Sequence, residues 1–192
     1  MRTVTFSDAG VAKKVNESFV CTWINRSPDF KNREKATELR IKSESYEAFP
    51  TKNFCTFFVT PDLRVLSYLS GYYNPAYFTQ ELSFALDLAG ETATASREFD
   101  ETKRAAYAKL HLARCRERRT QLAEMELLGK PAKLSKDMSG HSEARQRNLR
   151  DGLRHLAEVH EDLSDRAGAS KHVPFLAEVM TTHLGGNPFT EE

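Results

Sequence analysis

Hydrophobic positions in the first half of the chain change between helical and strand-like spacing. A first amphipathic helix is predicted after Ser7 or Asp8, either of which can act as its N-cap. Residues 19–24 are β-branched and aromatic on both faces, which predicts a strand buried on two sides. The segment 30–46 is rich in charge and poor in apolar residues, so we expect an exposed helix there.

A β-hairpin followed by a helix is the clearest pattern in this half. Residues 54–59 predict a buried strand, and the Thr-Pro-Asp-Leu segment 60–63 has the composition of a tight turn. Residues 65–69 predict the returning strand. Asn74 then caps a helix that has Pro75 at its first position. The predicted order is therefore helix, strand, helix, strand, strand, helix.

The second half of the chain is predicted to be entirely helical. Residues 94–128 contain neither Gly nor Pro and predict one long helix, and a second helix is expected over 142–164. A shorter helix follows Pro174. The two long helices can form an antiparallel pair that either packs on the sheet or extends to another chain. The apolar stripe of the second helix consists of Leu149, Leu153, Leu156, His160 and Leu163.

Two segments of the first half resemble the thioredoxin-like fold. FSDAGVAKKVNESFVCTWIN resembles its first helix and the strand after it, and FCTFFVTPDLRVLSYLSGYYNPAYFTQELSFAL resembles the β-hairpin and helix that end it. The resemblance implies an α/β fold, with a thioredoxin-like sheet flanked by helices in residues 1–92. An all-α helical-hairpin extension in residues 93–192 would follow it.

The family's CxxC redox motif is missing. Which residues stand in its place depends on how the chain is aligned with the family. In one register, residues 2–6 form the strand before the first helix and Ser-Asp-Ala-Gly at 7–10 replaces the CxxC motif. In the other, the chain begins after the site and a partner supplies the missing strand. We favour the first, because losing a central strand would leave unpaired backbone groups.

Cys55 is the candidate for any remaining thiol chemistry. Phe54 or Cys55 falls where the family carries a cis-proline, so both halves of the family's active site are changed and two-thiol chemistry is not expected. A single reactive Cys55 could still form a mixed disulfide. The alternative is a small buried hydrophobic residue, which is also our interpretation of Cys21, while Cys115 is expected on a helix face.

Histidines offer a second candidate site. His141, His160 and His183 could hold a metal ion only if the helices brought them together. Because His160 lies on the leucine stripe, a core histidine with hydrogen-bond partners is the favoured interpretation.

Aromatic and basic residues offer candidate binding surfaces. Tyr72, Tyr73 and Tyr77 cluster where the hairpin meets the helix, as interface tyrosines do, although core anchoring explains them as well. The segment KRAAYAKLHLARCRERR carries seven Lys or Arg residues, but acidic neighbours favour a solvated helix face over a nucleic-acid site.

Composition adds few constraints. The chain has 192 residues, a net charge of +1 and three cysteines, so no global attraction to nucleic acid and no disulfide framework is expected. No apolar run approaches the ~18 residues of a membrane span, and no secretory leader is apparent. We therefore expect a cytoplasmic protein without a cofactor.

These patterns favour a non-catalytic module that binds a protein partner or another copy of itself. Its helical extension would provide the interface. A single-thiol redox protein that uses Cys55 is the alternative, and nucleic-acid binding through the basic helix is a third, less favoured hypothesis.

Overall fold

A computed structural model of the chain describes residues 5–22, 48–49, 55–92, 100–128 and 143–184. Within them, helices are combined with small antiparallel sheets, so the predicted mixed α/β class is confirmed at this coarse level. The helix expected at 30–46 lies outside the described residues. The elements are α1 (Ala9–Ser18), β1 (Ala48–Phe49), β2 (Cys55–Val59), β3 (Val65–Ser70), β4 (Tyr72–Tyr73), α2 (Pro75–Thr92), α3 (Glu101–Leu128), α4 (Glu143–Ala169) and α5 (Leu176–Leu184).

The first helix is capped as its sequence predicts. The side chain of Asp8 accepts a hydrogen bond from the backbone N–H of Val11 at 2.9 Å, which satisfies one of the free donors at the helix start. Val11 is buried in the core. Residues 2–4 lie outside the described residues, and Thr5 and Phe6 belong to a turn rather than to the strand expected over 2–6.

The strand predicted over 19–24 is wrong for the part that the structure describes. Phe19 ends α1 by donating its N–H to the carbonyl of Val15, and its ring packs against Phe58 at 5.7 Å between centroids. Val20 is fully exposed and Cys21 is exposed. The apolar run therefore places one half-buried aromatic ring at a helix end, and residues 19–22 form no strand.

The predicted β-hairpin is present and continues beyond its first pair of strands. In β2 and β3, Cys55 lies opposite Ser70 and Phe57 lies opposite Tyr68. Gly71, with a φ of 108°, then redirects the chain into β4, which pairs with β1. Only glycine adopts this backbone conformation freely, so Gly71 allows the bend between the two small sheets.

The tip of the hairpin contains a leucine in an unfavourable backbone conformation. Leu63 has a φ of 62°, in the left-handed region, and 47% of its surface is exposed. Its N–H donates to the carbonyl of Thr60 and its own carbonyl accepts from the N–H of Leu176. The turn is thus held by backbone bonds that do not require the leucine side chain.

Replacing Leu63 with glycine is expected to raise the free energy of unfolding by up to about 1 kcal/mol. A left-handed conformation costs a residue with a Cβ about 1–2 kcal/mol, and the larger entropy of an unfolded glycine cancels part of the gain. Urea denaturation of the two proteins measures the difference. A loss of stability would mean that the exposed leucine side chain makes contacts that stabilise the turn.

Polar caps also set the starts of the next two helices. The side chain of Asn74 accepts from the N–H of Tyr77 at 2.9 Å, as predicted for α2. Asp100 accepts from the N–H of Lys103 at 2.9 Å and is itself non-helical. The helix predicted from residue 94 therefore begins at Glu101, because Asp100 acts as its N-cap.

Helices α3 and α4 lie antiparallel and pack on the hairpin. Arg104 donates to the carbonyl of Ala167, and Ser164 donates to the carbonyl of Ala108, so residue numbers rise along one helix as they fall along the other. Tyr107 in α3 donates its hydroxyl to the carbonyl of Val65 in β3 at 2.8 Å. The four leucines of the predicted α4 stripe are buried, and one hydrophobic cluster includes residues from both halves of the chain.

The domain boundary predicted between residues 92 and 93 adjoins residues 93–99, which lie outside the described residues. Among the described helices, none is long and apolar enough to cross a bilayer.

Candidate functional site: a buried polar network

Four side chains with strong acid–base character lie together in the core with no solvent exposure. They are Glu81 of α2, His111 and Arg118 of α3, and His160 of α4. Together with the backbone carbonyl of Leu66 in β3 they form a chain of hydrogen bonds, which we call the buried polar network. The network joins the hairpin to three helices.

Helical spacing explains why these residues meet. Glu81 precedes Leu82 on the buried face of α2, four residues before Ala85. His111 and Arg118 are seven residues apart in α3, which places them on one face of that helix. His160 occupies the leucine stripe of α4, so each side chain points from its helix into the shared core.

The distances form a continuous path from the hairpin to α2. Nε2 of His111 lies 3.0 Å from the carbonyl oxygen of Leu66, and its Nδ1 lies 2.9 Å from Nδ1 of His160. Nε2 of His160 lies 3.0 Å from Oε2 of Glu81. The other carboxylate oxygen, Oε1, accepts from Nη2 of Arg118 at 2.5 Å and from Nη2 of Arg114 at 3.1 Å.

The carbonyl at one end fixes the direction of the first hydrogen bond. The Leu66 carbonyl can only accept, so Nε2 of His111 carries a proton and donates it. One further proton lies between the Nδ1 atoms of His111 and His160, and another lies between Nε2 of His160 and Oε2 of Glu81. Three protons therefore complete the three hydrogen bonds that join Leu66 to Glu81 through the two rings.

The electrostatics agree with this assignment. Burial lowers the pKa of His111 well below its usual value, and the positive charge of His160 lowers it further, so His111 stays neutral. Burial alone raises the pKa of Glu81, but His160, Arg118 and Arg114 together hold that pKa well below its usual value. The carboxylate therefore keeps its charge inside the core.

A second layer of contacts holds the guanidinium and imidazole groups in place. Arg118 also donates to Gln80 and Gln121, at 3.0 and 2.8 Å. The ring of Phe84 meets both imidazoles edge-on, at 5.2 Å from His111 and 5.0 Å from His160. These contacts keep the network rigid and surrounded by apolar atoms.

The arrangement suits structural stabilisation better than catalysis. All four side chains have zero relative exposure, and each has hydrogen-bond partners within the chain. A general acid or base must reach a substrate within hydrogen-bond distance. Here the hydrogen-bonding capacity of both rings and of the carboxylate is used to join β3, α2, α3 and α4.

Cys55 is placed where a reactive thiol is not favoured. It is half-buried at the start of β2, with its sulfur 3.6 Å from the hydroxyl of Ser70. Burial raises the pKa of the thiol despite the opposing effect of its hydrogen bond with Ser70. Cys115 is buried, whereas Cys21 is exposed, contrary to the expectation of a buried residue.

The three tyrosines predicted to form a binding surface are mostly internal. Tyr73 and Tyr77 are only 2% and 3% exposed, and Tyr72 is half-buried. The ring of Tyr77 lies 5.7 Å from the guanidinium of Arg118. The structure thus corrects the surface interpretation for Tyr73 and Tyr77, because hairpin and α2 close over them as core anchors.

Only one of the three histidines proposed as metal ligands has a described side chain. His160 is a core histidine, and both of its nitrogens have partners in the buried polar network. The side chains of His141 and His183 lie outside the described residues, so their pairing stays a prediction. Within the described part of the chain, no cluster of three or more potential metal ligands occurs.

Three of the seven basic residues in the α3 segment are paired with carboxylates of the chain itself. Arg114 and Arg118 contact Glu81, and Arg119 makes two hydrogen bonds to Glu161, at 2.8 and 2.7 Å. These pairings reduce the positive charge available to a phosphate backbone. The interpretation of this run as a solvated face is wrong for Arg118, which is completely buried.

Sequence reasoning missed Glu81, His111 and Arg118 as a group. One signal was present in the sequence: Glu81 lies next to Leu82, within the helix predicted after Pro75. A charged residue at such a position requires a buried partner. The partner lies more than thirty residues away, so no local pattern identifies it.

Comparisons with protein-family models, curated proteins and solved structures find no match to this chain.

Proposed function

We propose that this chain is a non-catalytic protein-interaction module built on a thioredoxin-like hairpin and a packed helical extension. One observation carries the proposal: the acid–base groups that converge in the described structure are buried and bonded to one another. Such a core stabilises a shape without offering a reaction site. The module would then act through its surface.

The order of elements supports the thioredoxin-like part of this proposal. A strand, a Pro-Asp turn, a returning strand, a glycine and a helix follow one another where the resemblance places them. Residues 19–22 do not form the strand that the thioredoxin-like resemblance implies. The thioredoxin-like arrangement of residues 1–92 is therefore part of the proposal.

The outer side of α3 is the surface that we propose for binding. Leu127 is 85% exposed and lies on the side of the helix opposite the buried His111, Cys115 and Arg118, and Leu112, at the edge of the buried side, is 40% exposed. Covering an exposed leucine contributes about 1.5–3 kcal/mol to association. These leucines therefore provide apolar contacts for a partner chain or a second copy.

Sedimentation of the full chain over a range of concentrations tests this surface. We expect self-association that Leu127→Asp weakens by at least about tenfold, since a charge replaces an apolar contact. Leu63→Asp is the matched control, because it alters an exposed leucine in the hairpin turn. Turnover of a disulfide substrate by the wild-type chain would contradict the non-catalytic proposal.

Thiol labelling tests the redox alternative. We expect Cys55 to react at least about tenfold more slowly than the exposed Cys21 near neutral pH, because burial raises the pKa of the Cys55 thiol. Labelling sites are read by mass spectrometry, with Cys55→Ser as the control. A Cys55 that reacts faster than Cys21 would favour the single-thiol hypothesis instead.

A further inference from the structure

The three hydrogen bonds that join the Leu66 carbonyl to Glu81 through the two imidazoles have room for one proton each. A proton added at Nδ1 of His111 would place two N–H groups against each other across 2.9 Å. A proton added to Glu81 would instead face the N–H of His160 or the donors of Arg118 and Arg114. Every added proton therefore breaks at least one buried hydrogen bond.

The position of His111 gives that break a structural consequence. His111 is the residue through which α3 contacts both the Leu66 carbonyl of β3 and the imidazole of His160 in α4. Losing the contact at Nδ1 separates the two rings. A second cation beside His160 also repels it, so the α3–α4 packing opens at this point.

The groups around His111 leave the added charge poorly compensated. In the described structure, α2 contributes Glu81, already shared by His160, Arg114 and Arg118. The groups that contact the His111 ring itself are Tyr107 of α3, His160 of α4, Phe84 of α2 and the Leu66 carbonyl of β3. The ionisable Tyr77 and Tyr73 lie toward Arg118, and Cys115 lies one turn along α3. No further carboxylate in the described contacts faces the His111 ring.

We propose that the His111–His160 pair is an acid-sensitive latch, in which uptake of one proton by His111 loosens α3 from β3 and α4 before the helices unfold. Opening of this kind is a partial unfolding of one cooperative unit. It would expose the inner face of α3 in mildly acidic conditions. The proposal is independent of the partner that the module binds.

The direction of the pH effect follows from linkage. The pKa of His111 in the folded chain lies below the unfolded value of about 6.5, so the closed state binds fewer protons than the open one. The contribution of His111 to the closed state is fully present above about pH 6.5 and is lost as the pH falls toward its folded-state pKa. Glu81, whose pKa is also lowered, acts in the same direction at lower pH.

Cys115 reports the opening directly, because it is buried on α3 one helical turn from His111. The full chain is labelled with a dipyridyl disulfide at a series of pH values, and the Cys115 rate is divided by that of the exposed Cys21. The ratio is expected to rise up to about tenfold per pH unit below about pH 6.5, while far-UV circular dichroism stays unchanged.

His111→Gln is the test variant, since its amide can donate to Leu66 and accept from His160 but does not titrate. We expect the ratio to stay flat in this variant. The control His172→Gln removes an exposed histidine paired with Glu178 and should behave as the wild type. A flat ratio in the wild type, or an unchanged rise in His111→Gln, would overturn the proposal.

If His111→Gln does not fold, imidazole NMR of the wild type decides. The pH at the midpoint of proton uptake by His111 must equal the pH at the midpoint of the rise in the Cys115-to-Cys21 labelling ratio. Uptake that occurs without exposure of Cys115, or exposure without uptake, would contradict the latch.

Discussion

Replacing Glu81 with leucine is expected to lower the free energy of unfolding by about 3–5 kcal/mol. The change leaves the guanidinium of Arg118 buried without its counter-charge and Nε2 of His160 without its partner, and breaking a buried ion pair from one side costs about this much. Since small proteins are stable by about 5–15 kcal/mol, the variant should be close to unfolding. Urea denaturation followed by circular dichroism measures the loss.

A compensated variant separates the charge effect from the loss of packing. In Glu81→Leu combined with Arg118→Leu and His160→Leu, no buried charge of the network lacks a partner, so much of the stability should return. Exposed Glu117, which pairs with Arg114, provides a surface control as Glu117→Leu. A loss below about 1 kcal/mol in Glu81→Leu would show that the carboxylate is not buried as described.

The second large effect is expected at the leucine stripe of α4. Leu153→Ala should lower the free energy of unfolding by about 3 kcal/mol, because it removes a side chain that is 1% exposed and leaves a cavity among close-packed neighbours. The same denaturation experiment measures it.

Leu127→Ala is the matched control for that substitution. This leucine is 85% exposed, so at protein concentrations too low for self-association its truncation should change stability by less than about 0.5 kcal/mol. If the two alanine variants lost equal stability, the burial of the α4 stripe would be contradicted. If only Leu127→Ala were destabilised, α3 would have the opposite face turned inward.

Local signals in the sequence predict much of the described secondary structure. The caps at Asp8 and Asn74, the turn after β2 and the leucine stripe of α4 all appear where the pattern places them. Each of these features depends on residues within about one or two turns of one another. Short-range chemistry is therefore enough to predict them.

The run at 19–24 shows where local pattern fails. Its apolar residues fit a buried strand, yet a strand also needs a neighbour that supplies backbone hydrogen bonds. In the described structure, Phe19 instead uses its N–H to end α1 and its ring to contact Phe58. Such a choice depends on tertiary contacts that the run itself does not encode.

The buried polar network shows the same limit for function. HLARCRER looks like a solvated basic helix, but His111 and Arg118 point inward because Glu81 and His160 are there to meet them. Neither α3 nor α4 alone indicates that pairing. Only the folded arrangement shows that a charged sequence can form part of a core.

Imidazole nitrogen NMR of the full chain near neutral pH tests the central claim most directly. If the buried polar network holds β3 to α2, α3 and α4, His111 will carry a proton at Nε2, and one hydrogen-bonded proton will lie between its Nδ1 and Nδ1 of His160. Spectra that show no proton at Nε2 of His111, or no hydrogen bond between the two Nδ1 atoms, would contradict it.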